Sequence, residues 1–426
     1  MNRAALLLLA ASGCDYVTSS LKTNDFSGDA YPILVDRSAG GVVVGMREGS
    51  SDRTAVLDVM SPLTLIDKGG DVRVSIAERD LTLLGARSLG AALDLPRARF
   101  PEKTVATLHP CQDATCSIGT PGALRPFDAL FGLDSFAGDA LRLRLGDDQI
   151  FVLPDIAGSE VRRGRACDAF FESPYRGGGT LVIAGTELDF SNFRVAIDTC
   201  IAPNPIRDTP QSKRGADALL VASTAIGISI LDESTYERYR ELDSATIPDL
   251  ATLPDDTVYL PSGPITGKLA SIPSLALVSN LSANPRAPCR QVWASHLMAA
   301  RDCAPGDDCP CTGGSTYCSA PAIVELAPAA PATTVPILVV SDAAPILQAL
   351  RAELRPDRPE VDGILGADIL TSVELDLDYT HDRMLARCTN RDACSTRTFI
   401  NGDTDERDSS RFYVNGCLGD RRPPDP

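Results

Sequence analysis

Val361-Asp-Gly-Ile-Leu-Gly-Ala-Asp-Ile-Leu-Thr-Ser-Val-Glu-Leu-Asp-Leu-Asp-Tyr379 is the most informative segment of this chain, because a second copy of it lies upstream. That twin runs from Phe127 to Leu145, FDALFGLDSFAGDALRLRL. The copies align without a gap at a spacing of 234 residues, with Asp362 on Asp128, Gly366 on Gly132, Asp368 on Asp134, Leu375 on Leu141 and Leu377 on Leu143. Each is an acid, a short apolar run, a Gly, a brief connection and then a strand of alternating character. A period of two puts Leu375, Leu377 and Tyr379 on one face and Asp376 and Asp378 on the other. Duplication at so long a spacing points to two related lobes.

With 426 residues, 44% of them hydrophobic, the chain is long enough for two or three domains and a sizeable core. Only 5% are aromatic, so that core has to be built from Val, Leu, Ile and Ala. The formal charge of −17 argues against a nucleic-acid partner, which would need clustered Lys and Arg. No phosphate loop or dinucleotide fingerprint is present.

Residues 1–13 read as an export signal: Met1-Asn2-Arg3, the apolar run Ala4 to Ala11, then small residues. The run is too short to cross a bilayer. Ala11-Ser12-Gly13-Cys14 resembles the lipobox of bacterial lipoproteins, with Ala11 where Leu is commoner. That resemblance implies acylation of Cys14, residues 14–30 as a tether, and a lipid-anchored protein of the bacterial cell envelope, periplasmic or on the outer surface. The alternative is an ordinary signal peptide with a stray Cys. Of the 13 cysteines, Cys14 aside, an even number remains, the pattern of a disulfide framework in an oxidising compartment. The cluster between Cys289 and Cys318 reads as a stapled insertion spanning 285–320. Its spacing does not suit a closed zinc site, and no metal or cofactor is expected.

Strand-like runs occur at Ile33–Asp36, Val42–Val44, Ala55–Ile66, Val72–Ile76 and Leu81–Leu84, and again at Thr180–Ala184, Phe193–Ile197 and Ala218–Leu231. Asp232 to Tyr239 reads as a helix with Asp232 or Ser234 as its cap. Gly158 to Gly179 reads as a linker.

Taken together, an apolar strand ending in Asp, a tight turn with Ser or Thr, and a downstream apolar-apolar-Gly segment resemble the lobe of pepsin-like and retropepsin-like aspartic proteases. Gly363-Ile-Leu-Gly-Ala-Asp-Ile-Leu carries most of the resemblance, Ala129-Leu-Phe-Gly-Leu-Asp a second copy, and Asp58-Val59-Met60-Ser61 and Ala222-Ser223-Thr224-Ala225 the two turns. It implies a mostly β protein of two related barrel-like lobes with short helices, residues 31–155 and 156–390, followed by a disulfide-tied tail, 391–426.

That family hydrolyses peptide bonds with two carboxyls, one per lobe, sharing a proton. Here Asp58 stands at the first position, and Ala222 falls at the second when one residue is taken as inserted between Ala222 and the run Ile228 to Asp232, which matches Leu63 to Asp67. Met60 and Thr224 then replace the turn glycines. Asp198, in Ala196-Ile-Asp-Thr-Cys200, is the alternative second acid. Asp128, Asp134, Asp362 and Asp368 read as caps of the short helix after the Gly that satisfy nearby backbone donors. His109, His296 and His381 lie in no nucleophile motif. The expectation is therefore a monomeric, lipid-anchored pseudo-peptidase whose interlobe cleft binds a polypeptide or an envelope partner. The competing expectation is an active aspartic endopeptidase using Asp58 and Asp198.

Overall fold

The structure is a computed structural model. It describes residues 31–61, 64–66, 72–76, 79–85, 97–100, 103–106, 117–133, 139–154, 179–183, 186–190, 194–203, 215–278, 289, 323–326, 334–352, 360–378, 383–388, 395–397 and 414–417. The export signal, Cys14, the tether, Asp134, the three histidines and most of the Cys-rich insertion lie outside the described residues.

The chain is mostly β, dominated by one sheet of twelve strands and one of ten. Helices among the described residues are short: Glu233–Glu241, Pro345–Ala352 and Ala367–Leu370. Asp232 caps the first, accepting from Thr235 N at 2.7 Å.

Both copies of the duplicated segment are threaded alike. Ala129–Phe131 lies parallel to Ser51–Leu57 and antiparallel to Leu65–Ile66. Gly363–Leu365 lies parallel to Ala216–Ala222 and antiparallel to Ser229–Asp232. A short, wholly apolar strand suits this place, because it has a neighbour on each side and both faces are covered. The acid before each strand fixes its register. Asp128 donates its amide to Thr54 O at 2.7 Å and accepts Thr54 N on Oδ2 at 3.0 Å. Asp362 repeats this with Leu219, at 2.9 and 2.8 Å. These two acids therefore satisfy backbone donors, as the sequence reading expects, but they do so by clamping strands rather than by capping helices. Asp368 sits in the first turn of its helix, whose N-terminus has no side-chain cap, and accepts from Ser229 Oγ at 3.0 Å.

The two alternating strands, Asp139–Arg144 and Val373–Asp378, pair with each other, antiparallel. Leu141 faces Leu377 and Leu143 faces Leu375. Leu141 and Leu375 are counterparts in the duplication, as are Leu143 and Leu377, so each meets its partner's counterpart. That is the self-complementary register of a twofold axis. The axis passes through Arg142 and Asp376, themselves counterparts and facing one another. The four leucines are fully buried. Glu374, 1% exposed, is held between Arg144 at 3.0 Å and Arg142 at 3.6 Å, so its charge is compensated where it is desolvated.

Outward from the axis the sheet grows symmetrically. Gln149–Pro154 and then Tyr31–Asp36 extend it on one side, and Arg383–Cys388 and then Val414–Cys417 on the other. The segment expected to be a disulfide-tied tail thus supplies a strand to this sheet and another, Ser395–Arg397, to the ten-stranded sheet. Backbone ladders hold it. Among the described residues no closed barrel forms. The first-lobe strands curl back at a single bridge, Arg47 to Ser75. The Cys200–Cys289 disulfide joins the Ala196–Ala202 strand to the start of the Cys-rich insertion.

The lobes touch backbone to backbone. A Cβ on Gly41 would lie 2.2 Å from Ala225 O, and one on Gly40, where φ is 85°, would lie 2.9 Å from the Gly227 Cα. Only residues without side chains allow this approach. Replacing Gly41 with Ala should destabilise the protein by more than about 3 kcal/mol, measured by chemical denaturation. Gly45→Ala is the matched control, since a Cβ there meets nothing within 4 Å, and it should change little.

Candidate functional site

Where the two turns meet at the pseudo-twofold axis, backbone pairing decides which residues correspond. Asp58 N donates to Phe131 O at 2.9 Å, and Ser223 N donates to Leu365 O at 2.9 Å. Phe131 and Leu365 are counterparts at the 234-residue spacing, so Asp58 and Ser223 are counterparts too. Next along, Gly132 N donates to Thr64 Oγ1 and Gly366 N to Ser229 Oγ, each at 2.9 Å. The spacing from Asp58 to Ser223 equals that from Thr64 to Ser229, so the upstream strands align without an insertion. The residue opposite Asp58 is therefore Ser223. Ala222 is the counterpart of Leu57, which corrects the one-residue offset in the sequence alignment.

Asp58 and Ser223 touch. Ser223 Oγ donates to Asp58 Oδ1 at 2.8 Å, and Met60 N donates to the same oxygen at 3.0 Å. Asp58 Oδ2 is buried and has no hydrogen-bond partner. Among the described residues, the groups that bear on the carboxyl are the Met60 and Thr224 amides, the Ser223 hydroxyl and the Arg194 guanidinium, and no second carboxylate is among them. Burial raises the Asp58 pKa above the ordinary carboxyl value, against the opposing pull of those donors and Arg194.

Thr224, one residue on, crosses to the other lobe. Its hydroxyl donates to Leu57 O at 2.6 Å and accepts from Val59 N at 3.2 Å, while its own carbonyl accepts from Val42 N at 2.7 Å. The counterpart of Thr224 is Val59, which has no hydroxyl to make the reciprocal contacts, so this brace is one-sided. The buried Arg194 makes a further link across the seam, Nε to Met60 O at 2.7 Å.

The site is closed to solvent. Asp58 is 1% exposed, and Ser223 and Thr224 are fully buried. Met60, Ala39, Ile118, Ala225 and Ile226 form one apolar cluster with Val258, Leu260 and Ile265 of the second lobe.

Asp198 lies elsewhere. It sits within Ala196–Ala202, opposite Leu219 and Val278. Leu219 is four residues before Ser223, about 13 Å along a strand. Asp198 is thus not brought to the axis and is not paired with Asp58.

No family model matches this chain, and no curated protein does. Among solved structures, an aspartic proteinase from Irpex lacteus is similar over 89% of this chain and 99% of its own, at 10% identity and a TM-score of 0.30. Basic 7S globulin from soybean is similar over 90% and 98%, at 10% identity and a TM-score of 0.33. The twofold geometry at Asp58 and Ser223 stands on this chain's own register.

Sequence reasoning missed Arg194 and set Ser223 and Thr224 one position out of register in the second turn. The signal for the latter two was available in the match of Leu63–Asp67 to Ile228–Asp232, which, carried back without a gap, sets Asp58 on Ser223 and Val59 on Thr224.

Because the folded pKa of Asp58 is raised, the folded state favours the protonated form. Its contribution to stability is greatest below the unfolded value and is lost as pH rises through the folded value. Asp58→Asn should therefore raise the Tm by about 2–4 °C at pH 8, and the gain should shrink towards pH 3. Asp217, Asp232 and Asp368, the last pushed up to about 7 by burial, shift in the same direction, so the difference between variant and wild type isolates Asp58. Thr224→Val keeps the shape but strands Leu57 O and Val59 N. It should cost about 2–3 kcal/mol, read as a lower urea midpoint.

Proposed function

We propose that this chain is a non-hydrolytic, aspartic-protease-like protein, exported and lipid-anchored through Cys14. In this reading its two-lobed scaffold holds a polypeptide or an envelope partner. The observation that carries the reading is the hydrogen bond from Ser223 to Asp58. Peptide hydrolysis by this architecture needs one carboxylate to take a proton from water and a second, protonated carboxyl to polarise the scissile carbonyl. A serine hydroxyl at the second position donates a hydrogen bond but supplies no carboxyl proton. Asp58 Oδ1 is already committed to Ser223 and Met60, and the residue is 1% exposed. An architecture by itself confers no activity.

The export reading rests on the first 14 residues and on the abundance of cysteine. The Cys200–Cys289 disulfide supports an oxidising compartment. Among the described residues no helix is long and apolar enough to cross a membrane.

Two measurements test these points. A peptide library incubated with the full chain between pH 3 and pH 7 should yield no cleavage above that of Asp58→Asn, and cleavage abolished by that substitution would overturn the non-hydrolytic reading. In a bacterial host, Cys14→Ser should move the protein from the membrane fraction to the soluble fraction. Unchanged membrane association would remove the lipid anchor from the proposal.

A further inference from the structure

The strand Asp255–Leu260 ends the ten-stranded sheet, with a ladder to Gly263–Ile272 on one side. On its other side, among the described residues, it pairs with the first lobe at one residue. Gly119 N donates to Tyr259 O at 3.1 Å, and Tyr259 N donates to Gly119 O at 2.7 Å. The pairing is antiparallel and is an isolated bridge.

Gly119 belongs to a hairpin built to present it. Ser117–Ile118 pairs with Arg125–Pro126. Between them Ala123 N donates to Thr120 O at 2.9 Å, with Pro121 second in the turn and Gly122 third at φ 93°. Pro followed by a left-handed Gly is the signature of a type II turn. Gly119 itself has φ 123°, and a Cβ there would lie 2.4 Å from Ala123 O. Only glycine takes this conformation freely, and it turns both backbone groups of Gly119 toward Tyr259. Ile118, fully buried, packs in the apolar cluster shared by the two lobes. The hairpin is thus continuous with the first lobe and hydrogen-bonded to the second, beside the seam where Gly41 meets Ala225.

We propose that the hairpin Ser117–Pro126 is an internal clasp on the edge of Asp255–Leu260, and that the ligand it excludes is an extended polypeptide. A sheet edge takes up an extended chain by making the backbone hydrogen bonds that Gly119 makes here. One bridged residue is a weak hold beside a ladder of several, so an incoming strand can displace it. Asp255 is paired with Lys268 at 2.8 Å, which leaves Asp256 as the acid at the start of the edge that favours a basic peptide. The proposal rests on the polypeptide-binding reading above and gives it a location and a gate.

The probe is an alternating Lys-Val peptide of about eight residues, used with the full chain and with amide hydrogen exchange as the readout. In the wild type, saturating peptide should speed exchange at the Gly119 amide by about tenfold or more while the Tyr259 amide stays protected. Gly119→Pro, and separately Gly122→Val, should release the Tyr259 amide and bind the peptide about tenfold more tightly than wild type. Gly122→Val strains the turn without a clash, since a Cβ there meets nothing within 4 Å, and it serves if Gly119→Pro does not fold. Peptide that leaves Gly119 protected in the wild type, or variants that release Tyr259 without binding more tightly, would overturn the clasp. Cleavage of the bound peptide would instead sink the non-hydrolytic reading and leave the clasp standing.

Discussion

The pairing of Asp139–Arg144 with Val373–Asp378 is the constraint on which the rest of the molecule depends. Its register obliges each duplicated residue to face its neighbour's counterpart, so one strand pair defines an axis for the whole chain. Four buried leucines, and a Glu374 compensated by two arginines, make a slip of one residue costly: it would turn the leucines outward and Glu374 away from its partners. Once the axis is set, the two clamped strands behind Asp128 and Asp362 bring Asp58 and Ser223 together.

At that meeting point one lobe supplies a carboxyl and the other a hydroxyl. The carboxyl is buried and satisfied on one oxygen by a hydroxyl and an amide. Thr224 braces the seam from one side only, because Val59 cannot return the contact. Met60 and Ala225 fill the turns with side chains that join the core. Each feature trades access for packing. The buried acid costs stability when ionised, a cost that Arg194 lessens. The centre therefore behaves as part of an interlobe core that happens to contain a carboxylate.

The sequence revealed the duplication because two copies survive without a gap and their alternation is unmistakable. The strands on either side were legible for the same reason, and so was the Asp232 cap. The pairing at the centre was misjudged by one residue. Ala222, Ser223, Thr224 and Ala225 are all small, so side-chain character alone does not fix the alignment. What fixes it is which amide reaches Phe131 O and which reaches Leu365 O. That Asp128 and Asp362 satisfy backbone donors was legible, but which donors was not: an acid beside a Gly and a short helix reads locally as a cap, while its partners, Thr54 and Leu219, lie far away in the chain. The Gly119–Tyr259 contact was illegible for a deeper reason: it uses backbone atoms alone.

The place of Val414–Cys417 in the twelve-stranded sheet has a further consequence. It mirrors Tyr31–Asp36 across the axis, so the sheet closes around its dyad only when segments separated by nearly the whole chain are both present. Contacts of such long range make folding slow. A nascent chain emerging from the ribosome would stay incomplete until this strand appeared. A product cut short before Val414 would leave the Arg383–Cys388 strand as a raw sheet edge, marking it for proteolysis.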